Sequence, residues 1–322
     1  MGKYTVYGEK VDEYLEKNYF NKIVNSFVKD CNPISIILFG GFGKGEGSLR
    51  FIHGRPVPYN DFDLYVVTEK KLSDEELDKI SINASKSIGM GGLEISYFPE
   101  EGYDSNKYFH VDVRCIPFDK LDSLISIQRY YELKYGSQVI YGKKNVLDLM
   151  KTINVNELSD SDGLRNLFNK FHQMLLGLQK EYNEDQKMIR IFWSYKCYLS
   201  ICEALLMMKK KFAPTAKERS EIFSEIYENS FTELKEKIKL LPEKVKRATE
   251  FKLKPKFDIN EDKLWQVALK DLIVVFEYYL EKMTSRSEVN NSINNKLPYT
   301  YFKPFLVEII GFNFFPAQYV LN

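Results

Sequence analysis

The stretch that decides the fold is residues 34–68, which read ISIILFGGFGKGEGSLRFIHGRPVPYNDFDLYVVT. An apolar run over residues 34–39 is followed by a glycine-rich turn over residues 40–47, and a second apolar run follows at residues 61–68. Short apolar runs bounded by turn residues are typical of buried strands. A glycine turn after a buried strand can aim backbone N–H groups at a phosphate, particularly where a helix begins. The stretch therefore predicts a phosphate cradle at the end of a strand.

Two acidic residues, Asp61 and Asp63, open the second apolar run. On a strand, residues two apart lie on the same face, so these carboxylates would be close neighbours. Two like charges at that distance need a cation between them, and oxygen ligands favour Mg²⁺ or Mn²⁺, with substrate phosphates completing the shell. Combined with the glycine turn, the pair indicates chemistry on a nucleoside triphosphate.

Composition limits the classes of protein to be considered. The 322 residues are 44% hydrophobic and 15% aromatic, which favours a folded chain with room for two domains. The formal net charge of +1 gives no global field for a long nucleic acid. The cysteines show no metal-binding spacing, and neither a signal segment nor an apolar run of about 18 residues is found. We therefore expect a cytoplasmic protein with no membrane span.

The patterning along the chain changes after about residue 144. Before it, the signals predict helices at residues 11–30, 73–86 and 117–135, strands at 34–39, 61–68, 93–98, 108–115 and 138–141, and a loop or short hairpin at 50–59. After it, apolar stripes at helical spacing dominate. The predicted fold class is an α/β (α+β) mixed-sheet domain over residues 1–150, followed by an all-α helical bundle domain over residues 151–322.

The glycine turn does not match the common nucleotide loops. A Walker loop would need glycine at position 38 and serine or threonine at position 45, where this chain has Leu38 and Gly45. The dinucleotide fingerprint fails in every register for lack of its third glycine. A kinase motif would require a lysine strand and a catalytic loop between the glycines and Asp61.

The order that remains is a strand, a Gly-Gly turn, a helix and an Asp-x-Asp strand. Residues 38–46, LFGGFGKGE, followed by residues 60–64, NDFDL, resemble the DNA polymerase beta-like nucleotidyltransferase superfamily. The glycine part is similar to the Gly-Gly-Tyr-Gly-Arg-Gly-Glu variant of uridylyltransferase domains that modify the nitrogen-signalling protein. This chain departs from the pattern in its longer excursion at residues 50–59 and in Lys44, where arginine is commoner.

The resemblance implies two-metal phosphoryl transfer with a third carboxylate on a later strand. Asp112, in an alternating stretch, is the stronger candidate, and Glu94 is its rival. Asp61 and Asp63 would hold the metal bound to the triphosphate, and both would share a second metal with Asp112. Asp112 would also take the proton of an acceptor hydroxyl that attacks the α-phosphorus as pyrophosphate leaves. A salt bridge to Arg114 is the structural alternative for Asp112.

The resemblance also implies a nucleotide-binding set of Gly40, Gly41, Lys44 and Lys196. Backbone N–H groups near the two glycines would hold the β- and γ-phosphates, and Lys44 would add charge. A helical C-terminal domain would close over the nucleotide and contribute a cation, for which Lys196 competes with an ordinary packed lysine. Lys217 and Arg219 are weaker candidates. For Glu46 we favour capping of the turn or pairing with Lys44 over a role at the metal.

Three further features are given structural interpretations. The three histidines, His53, His110 and His172, are too scattered for a ligand set. Residues 235–256 hold nine Lys or Arg against three acidic residues, which is typical of a solvated helix face, with binding of RNA or of an acidic acceptor as the alternative. An aromatic C-terminal segment is expected to pack on the bundle, with a partner surface as the alternative; its aromatic residues are Phe302, Phe305, Phe312, Phe314, Phe315 and Tyr319.

The sequence thus predicts a metal-dependent nucleotidyltransferase acting on a nucleoside triphosphate. The near-neutral charge favours a small-molecule or protein acceptor over a long nucleic acid. A non-catalytic binding module of the same fold is the alternative. The close carboxylate pair argues against that module, because a binder has no need of it.

Overall fold

The structure is a computed structural model that describes residues 2–59, 61–91, 110–176, 184–257 and 259–285. The predicted strand at residues 93–98, with the rival carboxylate Glu94, lies outside the described residues. The aromatic C-terminal segment also lies outside them.

The described residues form six strands and eleven α-helices. The strands are Ser35–Leu38 (β1), Leu49–Ile52 (β2), Arg55–Pro58 (β3), Phe62–Thr68 (β4), Val111–Pro117 (β5) and Gln138–Gly142 (β6). The helices among and before them are Glu9–Leu15 (α1), Asn21–Cys31 (α2), Gly40–Gly43 (α3), Asp74–Ser87 (α4) and Gln128–Tyr135 (α5). The later helices are Asp160–Leu176 (α6), Glu184–Met208 (α7), Ala216–Ser230 (α8), Thr232–Lys237 (α9), Leu241–Leu253 (α10) and Glu261–Ser285 (α11).

Four strands form one mixed sheet in the order β5-β4-β1-β6. The β4 and β5 strands run parallel, whereas β1 pairs antiparallel with both β4 and β6. The β2 and β3 strands form a separate hairpin, the compact form of the predicted excursion at residues 50–59. Because β1 and β4 flank this hairpin in sequence and pair with each other, the glycine turn and the start of β4 meet at one end of the sheet.

Alternating residues of the central strands face two different cores. Ile36, Leu64 and Val66 pack against α2 and α4, whereas Ile37 and Tyr65 face the segment that leads into α5. This period of two is the geometry of a strand covered on both faces. The Asp63 side chain belongs to the second face, away from α2 and α4.

The boundaries of α4 follow from its sequence. The Ser73 hydroxyl accepts the Glu76 N–H, and the Glu76 carboxylate accepts the Ser73 N–H, which is the reciprocal arrangement of a capping box. The helix predicted at residues 73–86 is therefore confirmed.

The helix predicted over residues 117–135 is wrong as one element. A 3₁₀-helix covers Phe118–Ser123, the chain is extended at Leu124 and Ile127, and an α-helix begins only at Gln128. The buried Asp162 carboxylate accepts the Gln128 N–H at 3.0 Å. This long-range contact fixes the start of α5, and it cannot be predicted from the local sequence pattern.

Residues after β6 form a largely helical part, as predicted. Its core is built from α6 to α11 and includes Leu167, Leu205, Phe223, Val245 and Leu272. The domain division at residues 150 and 151 stays a prediction. Within the described ranges, no helix is both long enough and apolar enough to cross a membrane.

Candidate active site

The three predicted carboxylates lie at one end of two neighbouring strands. In the parallel pairing of β4 with β5, Asp63 is directly opposite Asp112. Asp61 lies two residues before Asp63, immediately before β4 begins. Burial raises the pKa of Asp63 to about 7, and the charges of Asp61 and Asp112 act in the same direction. The fold thus brings three acidic side chains into electrostatic contact.

Each of the outer carboxylates also has a cationic or imidazole neighbour. His110 Nε2 lies 3.6 Å from Asp61 Oδ2, and the Arg114 guanidinium lies 3.2 Å from Asp112 Oδ2. The Arg114 contact is the structural alternative expected for Asp112. In the described part of the chain, no three His, Cys, Asp or Glu side chains are grouped as a formed metal site. The carboxylates are adjacent but do not converge on one point.

The glycine turn lies against this carboxylate group. Gly40 has φ of +63°, in the left-handed region that glycine adopts without strain. A Cβ at Gly40 would overlap Asp63 Oδ2, so the close approach of turn and carboxylate depends on the missing side chain. The Phe39 N–H donates to the Asp63 carbonyl at 2.9 Å and fixes the turn to β4.

Lys44 is held in an ion pair within the protein. Its Nζ lies 2.9 Å from Glu132 Oε1 of α5, and both side chains are largely buried. The same ammonium lies 5.6 Å from the centroid of the Phe39 ring. The positive charge of Lys44 lowers the pKa of Asp63, although burial is the larger influence. Lys44 therefore adds positive charge near the turn, but its ammonium group is already paired with Glu132.

Glu46 neither caps the glycine turn nor pairs with Lys44, contrary to our expectation. Its carboxylate is 1% exposed and accepts the backbone N–H groups of Ala216 and Lys217 at 2.9 and 2.8 Å. These are the first two residues of α8, where N–H groups lack partners within the helix. The carboxylate also suits the positive end of the helix dipole. Glu46 thus joins the glycine turn to the helical part.

Arg219 of α8 is the centre of a buried ionic network. Its guanidinium donates to Glu132 of α5 and Glu203 of α7, each at 2.8 Å, and to the carbonyls of Ala213 and Pro214. The charges of Lys44 and Arg219 lower the pKa of Glu132, although burial alone would raise it. This network makes Arg219 a structural group, and Lys217 lies in an exposed pair with Glu221.

A cleft of about 370 Å³ separates the glycine turn from the helical part. Gly40, Gly41 and Lys44 form one side, and side chains of α5, α6, α7, α8 and α10 form the other. Asp61, Asp63 and Asp112 do not line this cleft themselves, but Asp63 lies against Gly40 at its edge. The cleft is in the size range of small-molecule sites.

Lys196, predicted from its helix, lines the cleft from α7. Its Nζ lies 4.3 Å from the centroid of the Phe192 ring, and its charge lowers the pKa of Asp63 against the effect of burial. Lys196 therefore lines the same cleft as the glycine turn, and its charge acts on Asp63 at the edge of that cleft.

The sequence did not suggest a role in the site for two lysines that line the cleft. Lys252 of α10 lies beside the turn, where a Cβ at Gly41 would be 3.2 Å from its Nζ, and Lys170 lines the cleft from α6. Both occupy the inward stripe of their helix, because Lys252 follows Val245 by seven residues and Lys170 follows Leu167 by three. A lysine on an apolar stripe was the available signal.

The interpretation of residues 235–256 as a solvated face is therefore wrong in part. Lys252 points inward, and Lys244 lies 2.6 Å from the largely buried Asp271 carboxylate. Lys235 pairs with Glu228 at the surface, as a solvated face predicts.

Comparisons with known proteins add little to this geometry. No protein-family model matches the chain, and no curated protein matches it. One similar solved structure is the spectinomycin adenyltransferase AAD(9) from Enterococcus faecialis with ATP and spectinomycin. It is 15% identical, with 79% of this chain and 97% of that chain covered, at a TM-score of 0.40. At that score the likeness assigns neither activity nor substrate, so function must be argued from the residues of this chain.

Proposed function

We propose that the protein is a metal-dependent nucleotidyltransferase that transfers a nucleoside monophosphate from a triphosphate to a hydroxyl group. The observation that carries the proposal is the pairing of Asp63 with Asp112, with Gly40 against the Asp63 carboxylate. This arrangement sets a carboxylate group beside a glycine turn, at the edge of a cleft lined by lysines. A small molecule or a protein side chain would supply the hydroxyl.

The donor set suits a divalent cation of the Mg²⁺ or Mn²⁺ class. Burial and two neighbouring carboxylates raise the pKa of Asp63 to about 7, so a cation would relieve an unfavourable concentration of negative charge. Asp61, Asp63 and Asp112 would hold it. When bound, such a cation would neutralise charge on the triphosphate and on the departing pyrophosphate.

The protein's own groups would divide the remaining work. Asp112 would take the proton of the acceptor hydroxyl, and its side chain is 30% exposed, so an acceptor can reach it. The hydroxyl oxygen would then bond to the α-phosphorus, while the bond from that phosphorus to the pyrophosphate oxygen breaks. Gly40 and Gly41 would hold the phosphates through backbone N–H groups, and Lys44 and Lys196 would offset their charge.

The experiment is pyrophosphate release from ATP, GTP, CTP and UTP with Mg²⁺ and a panel of hydroxylated small molecules. We expect the double variant Asp61→Ala/Asp63→Ala to be slower by roughly a hundredfold or more, because several kcal/mol of charge stabilisation is lost. Asp119→Ala, which removes a surface carboxylate just after β5, should retain the wild-type rate. Release at the wild-type rate by the double variant would exclude the mechanism.

One observation favours a second candidate, a non-catalytic module that binds nucleotide. Asp112 is paired with Arg114, and the carboxylates do not form a finished metal site among the described residues. Calorimetry with each triphosphate, with and without Mg²⁺, separates the two candidates. Binding that is independent of the metal and leads to no turnover would support the module, whereas binding that requires the metal would support the enzyme.

A further inference from the structure

The wall of the cleft carries a large excess of positive charge. Among the described residues that line it, seven are Lys or Arg and two are Glu. The two acids, Glu132 and Glu203, are already engaged with Lys44 and Arg219. Of the other cations, Arg165 lies 3.7 Å from Asp162 and Lys252 lies 4.0 Å from Glu46. Positive charge still exceeds negative charge around the cleft, and such a field concentrates anions.

The surroundings of Lys170 disfavour its positive charge. It lies on α6 with the buried Leu167 and Met174 one turn away on either side. Its Nζ donates to the neutral Gln173 Oε1 at 2.7 Å. Loss of water, together with the positive charge of Lys196 on α7, lowers the pKa of Lys170 to about 8, and the negative charge of Glu203 opposes this shift. The ammonium groups of Lys170 and Lys196 line the same cleft and repel each other, so both charges would stabilise an anion bound at Lys170.

The triphosphate end of the cleft has a different cation. Lys252 of α10 is the lysine beside Gly41, and its Nζ is 4.0 Å from Glu46 Oε2 of the same turn. Lys170 lies on another wall, beside Asn169 of α6, whose amide can also donate hydrogen bonds. The amide of the neighbouring Asn166 already donates to Gln128 and Glu203. Lys170 and Lys252 therefore lie on different helices of the cleft wall, and of these two lysines it is Lys252 that lies beside the glycine turn.

We infer that Lys170, with the amide of Asn169, forms an anion-binding subsite on the helical wall of the cleft that recognises a phosphate or carboxylate group of the acceptor. This inference rests on the proposed function, because it names the class of acceptor for the same cleft. The acceptor would then be a hydroxylated small molecule with an anionic group, and a polycationic amino sugar would be repelled.

The test measures binding of inorganic phosphate and of acetate by calorimetry, with and without saturating Mg²⁺ and α,β-methylene ATP, an analogue that cannot release pyrophosphate. We expect at least one of the two anions to bind in both conditions. Lys170→Met removes the charge but keeps an unbranched apolar side chain of similar size, and it should weaken that binding by about tenfold, which corresponds to about 1.4 kcal/mol. Lys170→Gln is the second variant, and Lys270→Met removes an exposed lysine of α11 as the matched control.

Two results would overturn the subsite. Displacement of the anion by the analogue in the wild-type protein would assign Lys170 to the triphosphate as well. Unchanged anion binding in both folded Lys170 variants would leave Lys170 a packed lysine with no ligand. The proposed function can fail separately from the subsite. If the protein did not bind the ATP analogue but still bound the anion through Lys170, the transferase proposal would be wrong and the subsite would stand.

Discussion

Gly40 shows what a single residue contributes to this site. Its φ of +63° would strain any residue with a side chain, and a Cβ would also overlap the Asp63 carboxylate. The two effects can be separated, because Gly54 at the tip of the β2–β3 hairpin has φ of +75° and open space around it. A substitution at Gly54 therefore measures the cost of the backbone strain without a steric overlap.

We expect Gly54→Ala to lower the free energy of unfolding by about 1–2 kcal/mol, the cost of a left-handed non-glycine residue. Gly40→Ala should cost more and should also weaken Mg²⁺-dependent binding of α,β-methylene ATP, because Asp63 must move. Urea denaturation and calorimetry on both variants test this expectation. Equal stability losses with unchanged analogue binding would show that Gly40 is needed only for its backbone conformation.

At the scale of elements, the most informative contact is that between Glu46 and the first turn of α8. The buried carboxylate satisfies two N–H groups that the helix itself cannot pair. Glu218, by contrast, completes the exposed capping box of the same helix with Thr215. The two glutamates therefore act on one helix end, one from within the protein and one from the surface.

Glu46→Gln should destabilise the protein by about 1–3 kcal/mol, because a buried N–H group is left facing an amide NH₂ group. Glu218→Gln should cost less, about 0.5 kcal/mol, since water can replace an exposed capping contact. Urea denaturation of the two variants measures the difference. If both substitutions had the same small effect, the proposed role of Glu46 in holding α8 would be wrong.

The same scale explains which elements the sequence could predict. The strands at residues 34–39 and 61–68 and the helix at 73–86 are specified locally, by apolar runs, glycines and a capping box. The break between residues 117 and 135 is not, because Asp162 fixes the start of α5 from 34 residues away. Hydrophobic periodicity and capping residues can be recognised from the local sequence, whereas a hydrogen bond between residues distant in the chain can be seen only in the folded structure.

At the scale of the whole molecule, the sequence predicted the side of the cleft that is formed by residues 34–68. Gly40, Gly41 and the Asp61–Asp63 pair are close in sequence, so their proximity follows from strand geometry. The opposite wall is assembled from helices distant in the chain, and Glu46 meets α8 across 170 residues. Lys170 and Lys252 could be recognised as lysines on apolar stripes, but the side they face depends on how the helical part packs against the sheet.

Arg219 tests whether that packing depends on buried charge. It links Glu132 of α5 with Glu203 of α7, and each carboxylate would lose a cation if the guanidinium were removed. We expect Arg219→Met to lower the free energy of unfolding by about 3–5 kcal/mol, the usual cost of breaking a buried ion pair from one side. Lys217→Met, an exposed change two residues earlier on α8, should alter it by less than about 0.5 kcal/mol. Adding Glu203→Gln to Arg219→Met should recover part of the loss in urea denaturation, since one unpaired charge is then neutral. If Arg219→Met were no less stable than Lys217→Met, the network would be a consequence of the packing and not one of its causes.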